Sequence, residues 1–146
     1  MRFISKLHTA CVGTLICVIA VQIGCGGSTT APSSVSSTAS NLTTGLTAIQ
    51  SQIFTPKCAG CHGNAVQQAG LNLASGSAFS SLVNVKSSQT MMTLVVPGNP
   101  NDSYLIHKLE GRAGIVGERM PKGGPFLTTD EVGTITDWIT AGALDN

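Results

Sequence analysis

The sequence has few charges, few aromatic side chains and only one long hydrophobic run. Of its 146 residues, 10% are charged and 4% are aromatic, whereas an ordinary soluble domain has about 25% charged residues. Its eight Lys and Arg residues are spread singly along the chain, and the formal net charge is +1. Proteins that bind nucleic acids usually have a cluster of basic residues, which displaces counterions from the phosphates. This sequence has no such cluster, so nucleic-acid binding is not expected. The single apolar run also excludes a multi-pass membrane protein.

The hydrophobic run lies near the N-terminus, from about Thr9 to Ile23, and follows the positive residues Arg2 and Lys6. A positive segment followed by a short apolar run is typical of an export signal, and this run is short for a membrane-spanning helix. A small residue and then Cys25 follow it. This ending resembles a bacterial lipoprotein signal, in which the cysteine is lipidated and becomes the mature N-terminus.

These features predict a signal peptide over residues 1–24, cleaved before a lipidated Cys25. Gln22 stands where the lipoprotein pattern usually has Leu, and the alternatives are an uncleaved membrane anchor or an ordinary secretory signal. Residues 25–41 are rich in Ser and Thr and have little apolar surface to bury, so we predict a flexible tether. We therefore expect an exported lipoprotein, anchored in a membrane at the periplasmic side or at the cell surface, with a folded domain over residues 42–146.

The positions of the cysteines carry the main functional signal. Cys11 and Cys17 lie in the hydrophobic run, and Cys25 is the predicted lipidation site. The domain therefore contains two cysteines, Cys58 and Cys61, and the second directly precedes His62. The string C-x-x-C-H is typical of covalent haem c attachment. Two thiols at this spacing add to the two vinyl groups of a haem, and the adjoining histidine binds the iron as its proximal ligand. The sequence therefore predicts one covalently bound haem c.

Three other kinds of site use two close cysteines. A thioredoxin-like dithiol is expected in a βαβ context, and no strand–helix–strand pattern surrounds Cys58. A structural zinc site needs a third and a fourth ligand, and the domain offers only His62 and His107, which do not form a second clustered pair. A disulfide across two intervening residues closes a very small loop and stabilises little. Haem attachment is the favoured interpretation, with these three sites as the alternatives.

The spacing of apolar residues predicts a first helix and no sheet. Leu42, Leu46, Ile49 and Ile53 fall on one narrow stripe at the helical period. Pro56 is expected to end or bend this helix just before the attachment motif. No run of the domain alternates between apolar and polar residues for long enough to make a convincing strand.

Three further helices follow from start and stop signals. A short helix is expected to start at Ser75–Ser77. Asn99 as N-cap and Gly111 just past the end predict a helix from about Pro100 to Glu110. The last helix begins with a capping box at residues 128–131. Its buried face consists of Val132, Ile135, Trp138 and Ile139. The predicted fold class is all-α, with about four short helices around one haem that completes a thin apolar core.

The chain between Gly111 and Leu127 is rich in glycine and has no helical period. Long irregular loops inside compact domains are usually functional. Met120, near the centre of this loop, is the favoured distal ligand because its thioether can approach the iron from the side opposite His62. His107 is expected on the solvent face of its helix, and Met91 and Met92 are expected to fill gaps in the core, so these residues are weaker candidates for the distal ligand. An iron with an open distal position is the remaining alternative.

Three segments resemble a class I mono-haem c-type cytochrome domain. They are C-A-G-C-H-G, R-M-P in the Gly-rich loop, and L-T-T-D-E-V-x-x-I-x-x-W-I-x-x-G-A at the end. The segment V-V-P-G-N-P-N-D-S-Y-L-I-H-K-L is similar to cytochrome modules of exported bacterial proteins. The resemblance covers about residues 42–144. It implies a cytochrome c-like fold in which Cys58 and Cys61 hold the haem, His62 is the proximal ligand and Met120 is the distal ligand.

These expectations describe an electron carrier rather than an enzyme. Ligation by His and Met raises the reduction potential and saturates the iron, which favours one-electron transfer between redox partner proteins. One alternative is a haem c enzyme subunit, or a gas or redox sensor, with an open sixth position. Another is a haem-free dithiol oxidoreductase.

Two polar side chains of the predicted core need hydrogen-bond partners. A haem propionate is one candidate acceptor for the indole N–H of Trp138. A carbonyl within Ala69–Leu73 is expected to accept from the second ring nitrogen of His62. Three cations are expected to be solvated surface charges, with pairing to haem propionates or to a partner as the alternative: Arg112, Arg119 and Lys122.

Overall fold

A computed structural model describes residues 44–146, and four short helices joined by irregular chain make up this part. The helices are α1 (Leu46–Ile49), which runs directly into a π-helix (Gln50–Cys58), α2 (Ala78–Leu82), α3 (Tyr104–Glu110) and α4 (Thr129–Thr140). Single-turn 3₁₀ helices lie at Gln68–Gly70 and Pro100–Asp102. Extended pairing within residues 44–146 is limited to isolated bridges. The predicted all-α class is confirmed.

The predicted signal peptide (residues 1–24), the lipidation site Cys25 and the tether (residues 25–41) lie outside the described residues, as does Leu42. Over residues 44–146, no helix combines the length and the apolarity that a membrane crossing requires.

The sequence predicts that the first helix ends or bends at Pro56. The helix passes through this residue, so the predicted end is wrong. In an α-helix, a proline ring collides with the carbonyl four residues earlier and supplies no N–H. The chain here instead forms hydrogen bonds that span five residues, such as the 2.9 Å bond from the N–H of Ala59 to the carbonyl of Phe54. The helix thereby reaches Cys58, so the first cysteine of the motif has a helical position.

The last helix has the start and the buried face that the sequence predicts. The hydroxyl of Thr128 accepts from the N–H of Glu131 at 3.2 Å, and the Glu131 carboxylate accepts from the N–H of Thr128 at 3.0 Å. α4 packs against α1 and α3. The indole N–H of Trp138 donates to the carbonyl of Leu144 at 2.8 Å, so the suggested propionate is not its partner. The predicted core residues of α4 are all buried: Val132, Ile135, Trp138 and Ile139.

The helix predicted from Pro100 to Glu110 is interrupted at Ser103, which is extended (φ −90°, ψ 112°). Asn99 caps the 3₁₀ turn as predicted, because its side chain accepts from the N–H of Asp102 at 3.3 Å. The interruption has a tertiary cause. The N–H of Tyr104 donates to the carbonyl of Thr93 at 2.9 Å, outside the helix. The predicted stop is confirmed, since α3 ends at Gly111, whose φ of 73° suits glycine. α2 begins directly after the predicted start at residues 75–77.

Candidate functional site

The described residues surround a cavity of ≈ 540 Å³, a volume typical of small-molecule and cofactor sites. Cys58, Cys61, His62 and Met120 all line it. They come from the end of the first helix and from the Gly-rich loop after α3. Much of the remaining lining consists of aliphatic side chains: Leu71, Leu73, Val85, Leu94, Leu105 and Leu109.

The attachment segment is a tight turn at the end of the first helix. The carbonyl of Cys58 accepts hydrogen bonds from the N–H groups of Cys61 (3.1 Å) and His62 (2.9 Å), so the turn brings all three side chains together. Both thiols are free; Cys58 is half-buried and Cys61 is exposed. Burial raises the pKa of the Cys58 thiol to about 11, although the charge of nearby Lys57 opposes this. The unmodified Cys58 is therefore a neutral thiol at pH 7.

The imidazole of His62 is oriented by one hydrogen bond. Its Nδ1 lies 3.0 Å from the carbonyl oxygen of Gln68. A carbonyl only accepts, so Nδ1 carries the hydrogen and Nε2 is left to bind a metal. The predicted acceptor range, Ala69–Leu73, is therefore wrong by one residue. The 3₁₀ helix that begins at Gln68 turns the chain back toward His62, and this brings the carbonyl of Gln68 within hydrogen-bond distance of the ring.

A buried glutamine supports the backbone of His62 from the first helix. Gln50 Nε2 donates to the carbonyl of Leu73 at 2.9 Å and to the hydroxyl of Thr55 at 3.0 Å. The N–H of Leu73 in turn donates to the carbonyl of His62 at 2.6 Å. Gln50 is only 9% exposed. Sequence reasoning missed this residue, because nothing in the local pattern shows which distant carbonyl a glutamine will meet.

Gly63 also has a role that the motif alone does not explain. A Cβ atom at this position would lie 2.3 Å from the carbonyl oxygen of Ala59. Only glycine therefore allows the turn to close this tightly after His62. A Cβ atom at Gly60, in contrast, would have no atom within 4 Å.

Met120 is half-buried, packs against the hydrophobic core and lines the cavity. The rival distal ligands are placed elsewhere. Met91 is 90% exposed, and the His107 ring bonds the carbonyl of Asn101 at 2.7 Å. Neither of them, nor Met92, is among the lining residues. Of the candidate distal ligands, the structure brings only Met120 to the cavity that holds His62.

Two side chains of α3 hold the Met120 loop, and no local sequence pattern distinguishes either of them. Lys108 is only 9% exposed, and its ammonium donates to the carbonyls of Val116 (2.8 Å) and Glu118 (2.6 Å). Burial lowers the pKa of Lys108, although the charge of Glu118 opposes this. One turn earlier, the hydroxyl of Tyr104 accepts from the N–H of Val116 at 3.0 Å. The role of these two side chains can be recognised only in the folded structure, where the loop lies against the helix.

The three cations expected at the surface have partners in the protein. Arg112 pairs with Glu110 at 2.5 Å. Arg119 donates to a backbone carbonyl of α3 at 2.7 Å, and its guanidinium lies 4.2 Å from the centre of the Phe126 ring. Lys122 is exposed, pairs with a glutamate at 3.2 Å and lies at the cavity.

The donor set fits a covalently bound haem better than the alternative sites. Within residues 44–146, no three His, Cys, Asp or Glu side chains lie close enough to hold a metal ion. The secondary structure around Cys58 has no βαβ unit that would suit a redox dithiol. Two thiols and an imidazole at an aliphatic cavity, with a thioether at the same cavity, are the groups that a haem c uses.

Comparison with known proteins agrees with this donor set. No curated protein and no solved structure matches the chain. Residues 58–124, however, match the family described as Planctomycete cytochrome C. The matched segment begins at Cys58 and contains Cys61, His62 and Met120. Residues 58–124 are therefore similar to this family, and the similarity implies a c-type cytochrome domain with haem-based electron transfer.

Proposed function

We propose that the protein is an exported, membrane-tethered mono-haem c-type cytochrome that carries one electron at a time between redox partner proteins. The observation that supports this most is the meeting of Cys58, Cys61, His62 and Met120 at one aliphatic cavity. When bound, haem c supplies a one-electron couple at its iron. The aliphatic walls of the cavity would limit the contact of that iron with water, and solvent access is one of the factors that set its potential.

Three residues of the attachment turn hold the cofactor. Cys58 and Cys61 would attach one haem c through thioether bonds, and Nε2 of His62 would bind its iron. The hydrogen bond from Nδ1 of His62 to the carbonyl of Gln68 keeps the ring in one orientation. It also makes Nε2 a better electron donor, as such outer hydrogen bonds do for ligating histidines.

The attachment is tested by the double variant Cys58→Ala/Cys61→Ala, made with cytochrome c maturation proteins. A pyridine haemochrome spectrum and intact mass should report one haem per wild-type chain and none per double variant. Since the haem completes the core, the variant should also be largely unfolded by circular dichroism. A colourless wild-type protein would instead support a dithiol oxidoreductase.

Met120 decides between the carrier and a second candidate function. A thioether ligand is neutral and a weak donor, and it fills the sixth position, which suits electron transfer. With an open sixth position, the same domain would serve as a haem enzyme subunit or as a gas or redox sensor. The presence of Met120 at the cavity supports the carrier.

Redox titration and carbon monoxide binding of three variants test this assignment. Met120→Ala should open the iron to carbon monoxide, and Met120→His should lower the potential. His107→Ala should do neither, since His107 does not line the cavity. If Met120→Ala kept the wild-type potential and refused carbon monoxide, the iron would have another distal ligand.

The membrane tether rests on the N-terminal sequence. C-type cytochrome domains are usually extracytoplasmic, and an export signal followed by a lipidated Cys25 and the tether would place this one at a membrane surface. Radiolabelled fatty acid should enter the wild type but not Cys25→Ser. Equal labelling of both proteins would leave a plain signal peptide or an uncleaved helix.

A further inference from the structure

We propose that Lys108 is a positioning residue that holds the Met120 loop against α3 and so keeps the thioether at the iron. This inference rests on the proposed function, in which Met120 is the distal ligand. Lys108 itself does not bind the iron in this proposal. It acts through the backbone of the loop.

Lys108 contacts the loop at three points that span Val116 to Met120. Its ammonium donates to the carbonyls of Val116 at 2.8 Å and Glu118 at 2.6 Å. Its own carbonyl accepts from the N–H of Met120 at 2.8 Å. The loop residues directly before the ligand are therefore bound to one residue of a helix whose buried side is part of the core.

The loop needs such a contact because it has no regular structure of its own. Gly114 and Gly117 have positive φ values of 87° and 73°, and the loop contains no helix or strand. Because no helix or strand uses the carbonyls of this loop, they can accept hydrogen bonds from a side chain. An ammonium group has three donors and can bind two carbonyls at once. Hydrogen bonds to a charged group are stronger than those between neutral groups. The Tyr104 hydroxyl, one turn earlier on α3, gives the loop a second contact at Val116.

The test compares Lys108→Met with Lys86→Met in haem-loaded protein. Both variants remove one lysine charge from the wall of the same cavity. Lys86, however, donates to the carbonyl of Met91 on a different loop. Lys86→Met therefore measures the effect of lost charge. Lys108→Met adds the loss of the two side-chain contacts to the loop, whereas the backbone bond from the Met120 N–H to the Lys108 carbonyl remains.

We expect Lys108→Met to weaken or lose the sulfur-to-iron band at the red edge of the ferric spectrum. Its affinity for carbon monoxide in the ferrous state should rise by about tenfold or more, the factor expected for losing hydrogen bonds to a charged group. Amide hydrogen exchange at Met120 should accelerate in this variant. Lys86→Met should keep the band and the slow exchange.

A Lys108→Met protein with the wild-type band, exchange rate and carbon monoxide affinity would overturn the role of Lys108 and leave the proposed function intact. Absence of the band in the wild type would overturn both, because Met120 would then not be the ligand. If Lys108→Met does not load haem, the same measurements on Lys108→Gln decide. That variant keeps a donor but is too short to reach both carbonyls.

Discussion

The side chain of Asn146 caps the helix that begins at Leu46, since Asn146 Oδ1 accepts a hydrogen bond from the Leu46 N–H at 3.1 Å. The backbone oxygen of Asn146 accepts from the N–H of Thr47 at 2.7 Å. The first N–H groups of a helix have no partner within it. Gly45, which precedes the helix, has no side chain to supply one. A residue distant in the chain therefore takes over the capping of the helix that leads to Cys58.

Asn146→Ala should lower the free energy of unfolding by about 1 kcal/mol, the usual cost of losing a capping side chain. The loss affects the Leu46 N–H alone, because the backbone bond to Thr47 remains. Thermal unfolding of haem-loaded protein measures it. Asp145→Ala, at the exposed neighbouring residue, is the control. Equal melting temperatures of the two variants would show that the capping contact does not stabilise the fold.

Acid should destabilise the protein partly through Glu131. Burial raises the pKa of this carboxyl, but hydrogen bonds from Lys57 and from Thr128 lower it more, so its pKa lies below the ordinary value of 4.5. The folded state thus binds the proton less tightly than the unfolded state. The stabilisation is complete above the unfolded pKa and is lost as the pH falls through the folded pKa.

Glu131→Gln should therefore flatten the loss of melting temperature below about pH 4.5. The effect of this substitution should shrink in a Lys57→Met background, because Lys57 is the side-chain partner of Glu131. If the melting temperature of Glu131→Gln fell as steeply below about pH 4.5 as that of the wild type, other carboxyl groups would control acid unfolding.

Gly63→Ala should impair haem attachment, whereas Gly60→Ala should not. The added Cβ at residue 63 would lie 2.3 Å from the Ala59 carbonyl oxygen, so the turn that holds His62 must open. At residue 60 the new atom meets nothing within 4 Å. The yield of haem per chain, read from the haemochrome spectrum and mass, makes the comparison. Equal yields would mean that the turn adapts without cost.

Gln50→Leu should destabilise the haem-loaded protein by about 2 kcal/mol, because the buried carbonyl of Leu73 would lose its donor. Gln52→Leu is the matched control, since Gln52 is exposed on the same helix. Its effect should stay within about 0.5 kcal/mol. Urea unfolding of both variants gives the two free energies. Similar values would indicate that water replaces the glutamine.

Features with local causes could be predicted from the sequence. The start of α4 needs only Thr128 and Glu131, three residues apart, and its buried face needs only the helical period. The motif from Cys58 to His62 is also local, because thioether attachment requires that spacing. The stop at Gly111 depends on one residue with positive φ.

Features with distant causes could not be predicted. The helix breaks at Ser103 because a carbonyl at Thr93 takes the Tyr104 N–H. The partner of Trp138 is a carbonyl beyond its own helix, at Leu144. The contacts of Lys108 depend on the path of a loop that has no period of its own. In each case a hydrogen-bond donor or acceptor comes from chain whose position no local pattern specifies.

The cavity joins parts of the chain that lie far apart in the sequence, and this has a consequence for folding kinetics. The helices of this fold are short and local, and such elements form within microseconds. When the loop that contains Met120 meets the turn at His62, the long stretch of chain between them is closed into a loop. The chain loses conformational entropy in this step before new contacts offset the loss. Thioether bonds at Cys58 and Cys61 would keep the haem on the chain throughout that closure. If Met120 is the distal ligand, as proposed above, the rate at which its sulfur binds the iron after dilution from denaturant would therefore report a long-range step of folding rather than the formation of any helix.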